Sequence, residues 1–266
     1  MPEAQKSVLI ATQKPFDRSA RDCMVEEMRQ AGLYVSLLEG YGSASELSEA
    51  LQGIKGMIVR SDAITADLMR GAEQLEIVIR AGAGYDNIDV AHAQDSGIIV
   101  ENTPGQNANA VAELAISLML AAIRPLDGSS GIELKGKTLG VHGFGNIGCI
   151  VARLGRAFGM HVRVFDMNMD VRRAREYGVA IAESLEALYD GADVVSLHIP
   201  ENPATRGSVG KALLERMSDN AVLVNTARAG VVCESELLQV LKERGGFRYA
   251  SDVAPGEDTA AAMERD

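Results

Sequence analysis

Gly143, Gly145 and Gly148 carry the first chemical signal in this chain, in the run Thr138-Leu139-Gly140-Val141-His142-Gly143-Phe144-Gly145-Asn146-Ile147-Gly148. Their spacing suits a backbone that must close on an anion. Gly143 permits a tight turn, Gly145 lets main-chain N–H groups approach a pyrophosphate, and Gly148 lets a following helix pack against the preceding strand. The anion then rests at a helix N-terminus, where unpaired N–H groups and the helix dipole favour negative charge. Asp166 follows about 20 residues after the turn, where a carboxylate can accept hydrogen bonds from ribose hydroxyls. That carboxylate would repel a 2′-phosphate, so the pattern reads as an NAD site rather than an NADP site. A glycine turn serving only close helix–strand packing is the competing explanation. Strand, helix, second strand and terminal acid all fall in register here, which favours the dinucleotide.

Two cations offer a second chemistry. Arg60 and Arg80 each end a short apolar run, so a parallel sheet would put both at strand carboxyl ends, where ligands of open α/β sheets bind. They could meet an anionic substrate there. The alternative is surface ion pairing with Asp62 or Glu76.

The elements that must position these groups alternate along the chain. Strands are expected at Ser7–Thr12, Tyr34–Leu38, Gly56–Arg60, Leu75–Arg80 and Ile98–Val100, rich in branched residues and separated by helical patterns. The longest helix is expected from Asn107 to Arg124, stopped by Pro125. The alternation restarts with strands at Thr138, His161–Phe165, Asp193–Leu197, Ala221–Asn225 and Tyr249–Val253. Helices are expected at Glu183–Tyr189 and Glu234–Glu243. The fold class is α/β, with two doubly wound parallel-sheet domains. Residues 1–100 form a flavodoxin-like substrate domain and residues 101–266 a Rossmann NAD-binding domain. Ligands are expected in the crevice outside the strand carboxyl ends.

Composition narrows the partners. In 266 residues, 47% hydrophobic, there is ample material for real cores. A formal charge of −11 argues against a nucleic-acid or anionic-membrane surface, although a few local arginines could still hold a small anion. Cys23, Cys149 and Cys233 form neither a disulfide framework nor a zinc spacing, and no metal site is expected. The N-terminus lacks a basic segment leading into an apolar one, and the apolar run Ala110–Ile123 contains Glu113 and is short for a bilayer. A cytoplasmic protein is expected.

Beyond the glycine turn, several segments occur together and in order: Val59-Arg60-Ser61, Arg80-Ala81-Gly82-Ala83-Gly84-Tyr85-Asp86-Asn87-Ile88-Asp89, Asn102-Thr103-Pro104-Gly105, Val111-Ala112-Glu113-Leu114, Gly136-Lys137-Thr138-Leu139-Gly140, Asn225-Thr226-Ala227-Arg228 and Asp252-Val253-Ala254-Pro255-Gly256-Glu257. With them the chain resembles the D-2-hydroxyacid dehydrogenases over essentially its whole length, most of all the branch acting on 3-phosphoglycerate. The resemblance implies an oxidoreductase using NAD on a 2-hydroxy or 2-oxo acid, working as a homodimer. By position, Arg228 matches the arginine that holds the substrate carboxylate, and Glu257 the acid that pairs with a catalytic histidine. For Arg228 the alternative is a structural ion pair; for Glu257 it is an ordinary solvated turn. Backbone N–H groups around Ala81, Gly82 and Ala83 would help hold the carboxylate, with Ala83 reaching the nicotinamide. Asn146, Ile147, Asp166, Ile199, Pro200, Thr226, Ala227, Arg228 and Asp252 match cofactor contacts. Arginines at places matching Arg60 and Arg80 imply a phosphorylated substrate.

Two departures stand out. The family's general base, a histidine or in some short members a lysine, would fall beyond Asp266, as would the segment that returns to the first domain. Residues 124–135 also make a short connection for the family. The reading is therefore of a chain from which residues are missing. Among its own histidines, His92 and His161 are expected far from the site, His142 in a core or strand-end role, and His198 beside the cofactor rather than as the base. Another D-2-hydroxyacid dehydrogenase, acting on glycerate, glyoxylate or lactate, is the nearest rival reading. An NAD-sensing interaction protein or an inactive NAD-binding module is the rival from another class.

Overall fold

The computed structural model describes residues 6–124, 131–253 and 259–260. The chain divides into two compact units, Met1–Asn107 and Ala108–Asp266. The first contains β1 (Ser7–Thr12), α1 (Arg18–Gln30), β2 (Tyr34–Glu39), α2 (Ala44–Ala50), β3 (Gly56–Val59), α3 (Ala66–Gly71), β4 (Ile77–Arg80), α4 (Val90–Asp95) and β5 (Ile99–Asn102). The second begins with α5 (Ala108–Ile123) and β6 (Thr138–His142). It continues through α6 (Asn146–Ala157), β7 (His161–Phe165), α7 (Val171–Tyr177), β8 (Ala180–Ile181), α8 (Leu185–Tyr189) and β9 (Val194–Leu197). It closes with α9 (Lys211–Leu214), β10 (Val222–Asn225), α10 (Glu234–Glu243) and β11 (Arg248–Ser251).

Both sheets are wholly parallel. The first has the order β2-β1-β3-β4-β5, the second β11-β10-β9-β6-β7-β8. These are the flavodoxin-like and dinucleotide-binding strand orders, which reverse direction between β1 and β3 and between β6 and β9. The break between units falls after Asn107 rather than after residue 100, because β5 pairs with β4 through Asn102.

In the second unit, β9 and β10 are buried along their whole length. Successive side chains feed opposite faces: Val194, Val222 and Val224 enter the core beneath α5 and α6, while Val195, Leu197 and Leu223 enter the one beneath α8 and α9. A sheet covered on both faces therefore reads as continuous apolar runs, which is why these strands are legible in the sequence. The elements that are not legible are short and bury little. Helices α4 and α7 bury one alanine each, Ala93 and Ala174, so neither shows an apolar stripe. Their start signals are aspartate caps: Asp89 accepts from His92 N, and Asp170 from Arg172 N and Arg173 N. No helix among the described residues is long and apolar enough to cross a membrane.

His142 ends β6 inside this core, 6% exposed, with Nδ1 3.0 Å from the Tyr189 hydroxyl. Burial lowers its pKa from 6.5 to about 4, outweighing the opposite pull of Asp166. The unfolded chain thus binds this proton more readily than the folded one. Stability from keeping His142 neutral is complete above about pH 6.5 and is lost as pH falls toward 4. By linkage the loss between pH 7 and pH 5 is about 2 kcal/mol. Urea unfolding of the wild type and of His142→Phe should show it: the free-energy difference between them shifts by that amount in favour of the variant at pH 5. A difference independent of pH would contradict it.

Candidate functional site

All strands of the second sheet run in one direction, so the residues after β6, β7, β9, β10 and β11 emerge at one edge. Along it lie the glycine turn, Asp166, Ile199 with Pro200, Thr226 to Arg228, and Asp252.

Each glycine of the turn is held to its type by a different contact. Gly143 has φ +97°, and a Cβ there would come within 2.6 Å of the His198 carbonyl oxygen. Its N–H donates to Phe165 O at 2.8 Å, stitching the turn to the end of β7. A Cβ on Gly148 would overlap the Gly143 carbonyl oxygen and lie 3.1 Å from Val141 Cγ1. At Gly145 a Cβ would meet nothing within 4 Å. Gly145 is the N-cap of α6, and no side chain caps the helix. Its first N–H groups, at the exposed Asn146 and half-buried Ile147, open outward from the edge. A helix start of this kind can receive an anion, and the space beside Gly145 is open. A cavity of about 380 Å³ beside Thr138, His161 and Arg163 lies at the opposite edge of the sheet, away from these groups.

Asp166 follows the last residue of β7. Its Oδ2 accepts from Phe144 N at 2.7 Å and its Oδ1 from Asn168 N at 2.8 Å. The carboxylate thus braces the glycine turn from the neighbouring strand end. A carboxylate has about four acceptor positions, so two remain for ribose hydroxyls. Sequence spacing led to the expectation of a ribose contact at Asp166 but did not anticipate the bracing of the turn.

The ends of β9 and β10 hold two polar atoms that lack partners among the described residues. His198 Nδ1 and Thr226 Oγ1 are both buried and unpaired. A buried donor or acceptor without a partner is costly, so each invites one from outside the chain. His198 Nε2 lies 2.9 Å from Ser196 Oγ. Burial, aided by neighbouring His142, lowers its pKa to about 3. Ile199 packs on the core beneath it, and the Pro200 carbonyl accepts from Thr205 Oγ1 at 2.6 Å.

The Thr226–Arg228 loop is shaped by fully buried Asn225. Asn225 Nδ2 donates to Arg228 O at 2.9 Å and to Tyr249 Oη at 3.1 Å, while Oδ1 accepts from Ala227 N at 3.0 Å. Arg228 is half-buried, with Nη1 donating to Ala227 O at 2.8 Å. Asp252 follows β11 and is exposed. Glu257 lies outside the described residues. Asn225 and Tyr249 are positioning groups that residue spacing did not single out; the buried amide of an Asn at a strand end is the available signal.

In the first unit, Arg60 and Arg80 are both half-buried at the carboxyl ends of β3 and β4. Arg80 Nε donates to Arg60 O at 3.1 Å. Arg60 Nη1 donates to Lys14 O at 3.0 Å and Pro15 O at 2.9 Å, with its guanidinium 5.3 Å from the centre of the Phe16 ring. Of the carboxylates named as alternative partners, Glu76 pairs with Lys55, and Asp62 accepts from Gln13 N and Tyr41 Oη through Oδ1 and from the Arg60 backbone N–H through Oδ2. The N–H groups expected at Ala81, Gly82 and Ala83 are not equivalent. Ala81 N donates to Val59 O and Gly82 N to Arg80 O, both at 2.8 Å. Ala83 N and its neighbour Gly84 N have no acceptor among the described residues, so the available donors shift toward Ala83. The shift follows from the parallel pairing of β3 with β4, which consumes Ala81.

Residues 119–264 match the NAD binding domain of the D-isomer specific 2-hydroxyacid dehydrogenases. The chain belongs to this family. It is 36% identical over 244 residues to a D-3-phosphoglycerate dehydrogenase of Archaeoglobus fulgidus, covering 86% of this chain and 46% of that one. It is 38% identical to a hydroxypyruvate reductase of Thermotoga maritima, over 83% of this chain and 76% of that one. The NAD+-bound structure of 3-phosphoglycerate dehydrogenase from Entamoeba histolytica superposes with a TM-score of 0.90 at 34% identity, covering 96% of this chain and 82% of that one. The chain thus spans less than half the length of the archaeal phosphoglycerate dehydrogenase.

The geometry at Gly145 separates folding from binding. Gly145→Val, at φ −81° in open space but at the helix cap, should lower the unfolding free energy by no more than about 2 kcal/mol. It should weaken NAD binding at least about a hundredfold by filling that space. Chemical denaturation and fluorescence titration read the two effects; unchanged NAD affinity would contradict the assignment.

Proposed function

We propose that the protein oxidises the C2 hydroxyl of 3-phospho-D-glycerate to give 3-phosphohydroxypyruvate. NAD, when bound at the α6 N-terminus and Asp166, supplies the acceptor for the C2 hydride. Family membership supports the reaction class, and the arginine pair Arg60–Arg80 supports a phosphorylated substrate. The single observation that carries the reading is the open, uncapped α6 N-terminus at Gly145, on the same sheet edge as Arg228.

The chain's own groups have distinct tasks in this reading. Arg228 grips the substrate carboxylate through paired N–H donors, fixing C2 for transfer. Asn225 keeps the Arg228 backbone in place for that grip. Ala83 N–H and Gly84 N–H are donors available to an anionic group of the substrate. Arg60 and Arg80 take the phosphate. Thr226, Ala227, Ile199, Pro200 and Asp252 line the cofactor's path, with Asp166 on the ribose. The hydroxyl proton must go to a base with a pKa near the working pH. His142 and His198, at about 4 and about 3, are unsuited to that task. Glu257 is proposed to orient the base. A homodimer in the cytoplasm acting on a small anionic substrate completes the proposal.

A second reading has its own support. The hydroxypyruvate reductase of Thermotoga maritima matches over a larger share of its length than the phosphoglycerate dehydrogenase does. An unphosphorylated acid would then be the substrate. NADH formation by the full-length protein with 3-phospho-D-glycerate and with D-glycerate tests the pair. Arg60→Ala should raise KM for the phosphorylated acid about tenfold and leave the other unchanged. Equal effects on both acids would favour the second reading. Arg228→Gln should lower kcat/KM at least about a hundredfold with either acid. Undiminished turnover in that variant would remove Arg228 from the reaction.

A further inference from the structure

A buried hydrogen-bond network in the first unit stands behind the Arg60 guanidinium, and the proposed reaction leaves it without a task. Asp62 is 5% exposed and Tyr41 7%. Tyr41 Oη donates to Asp62 Oδ1 at 2.7 Å, and Gln13 N donates to the same oxygen at 2.7 Å. Asp62 Oδ2 accepts from Arg60 N at 3.4 Å. Asn87 Nδ2 donates to Asp62 O at 2.7 Å and to Arg60 O at 3.3 Å. One carboxylate therefore fastens the residues that follow β1, β2 and β3.

The fastening reaches the guanidinium through a short relay. Gln13 directly precedes Lys14 and Pro15, whose carbonyls hold Arg60 Nη1, and Phe16 lies beneath the Arg60 guanidinium. Burial and then the bond to Asp62 raise the Tyr41 phenol above its ordinary pKa, so it remains a donor at physiological pH. A buried carboxylate short of donors is costly. Removing one donor should loosen the grip on Gln13 and on the two carbonyls after it. Arg60 would then lose the fixed direction that a doubly charged ligand exploits.

We infer that Tyr41 and Asp62 are positioning residues that aim Arg60 and so set the preference for a phosphorylated over an unphosphorylated 2-hydroxy acid. The inference rests on the reading of Arg60 as the phosphate ligand. Tyr41→Phe keeps the buried ring and removes only the donor; Asp62→Asn keeps the shape and removes the charge. In the full-length protein, Tyr41→Phe should raise KM for 3-phospho-D-glycerate about tenfold. It should leave kcat with either acid, and KM for D-glycerate, within twofold. Amide hydrogen exchange at Gln13 should quicken in the same variant. Unchanged KM for the phosphorylated acid, or equal losses with both acids, would overturn the inference. If the wild type shows no preference for the phosphorylated acid, the substrate reading fails by itself. The positioning claim is then decided by Gln13: exchange as slow in Tyr41→Phe as in wild type would overturn it.

Discussion

An α-helix that starts with no side chain across its first N–H groups is an unfinished electrostatic object. At α6 the incompleteness is built in by sequence. Gly145 occupies the cap position, where Ser, Thr, Asp or Asn would satisfy a backbone donor. Everything around it keeps that opening clear. Gly143 turns the chain against the carbonyl of His198, Gly148 lets the helix press on β6, and Asp166 pins Phe144 from the next strand. In the proposed reading, an anion with two linked phosphates would supply the charge that the helix end lacks.

The second unit meets a related demand at Arg228. Asn225, fully buried, spends its amide on the carbonyl of Arg228 and the hydroxyl of Tyr249, and its carbonyl oxygen on Ala227 N. The loop is thus fixed by an interior side chain rather than by secondary structure. In the first unit Asp62 does the same for the residues around Arg60. Both loops follow one pattern: a charged group at a strand end, held by a buried polar residue nearby.

Much of the scaffold was legible because its strands are covered on both faces. Val194–Leu197 and Val222–Asn225 could hardly be anything else, and α10 starts and ends where its pattern places it, at Glu234 and Glu243. Helices α4 and α7, each burying one alanine, carry no stripe for periodicity to detect. The glycine turn was legible because its residues are neighbours in sequence. The Asp62 network was not, since residues 13, 41, 62 and 87 meet only after the first sheet has formed. Nor could spacing show that the N–H groups of Ala81 and Gly82 are consumed locally, leaving Ala83 and Gly84 as donors.

A crystal structure of the full-length protein soaked with NAD tests the central claim most directly. The account predicts pyrophosphate oxygens within about 3 Å of the N–H groups at the start of α6, and adenosine ribose hydroxyls on the unused acceptor positions of Asp166. Electron density for the dinucleotide elsewhere, or a start of α6 that stays bare at saturating NAD, would contradict it.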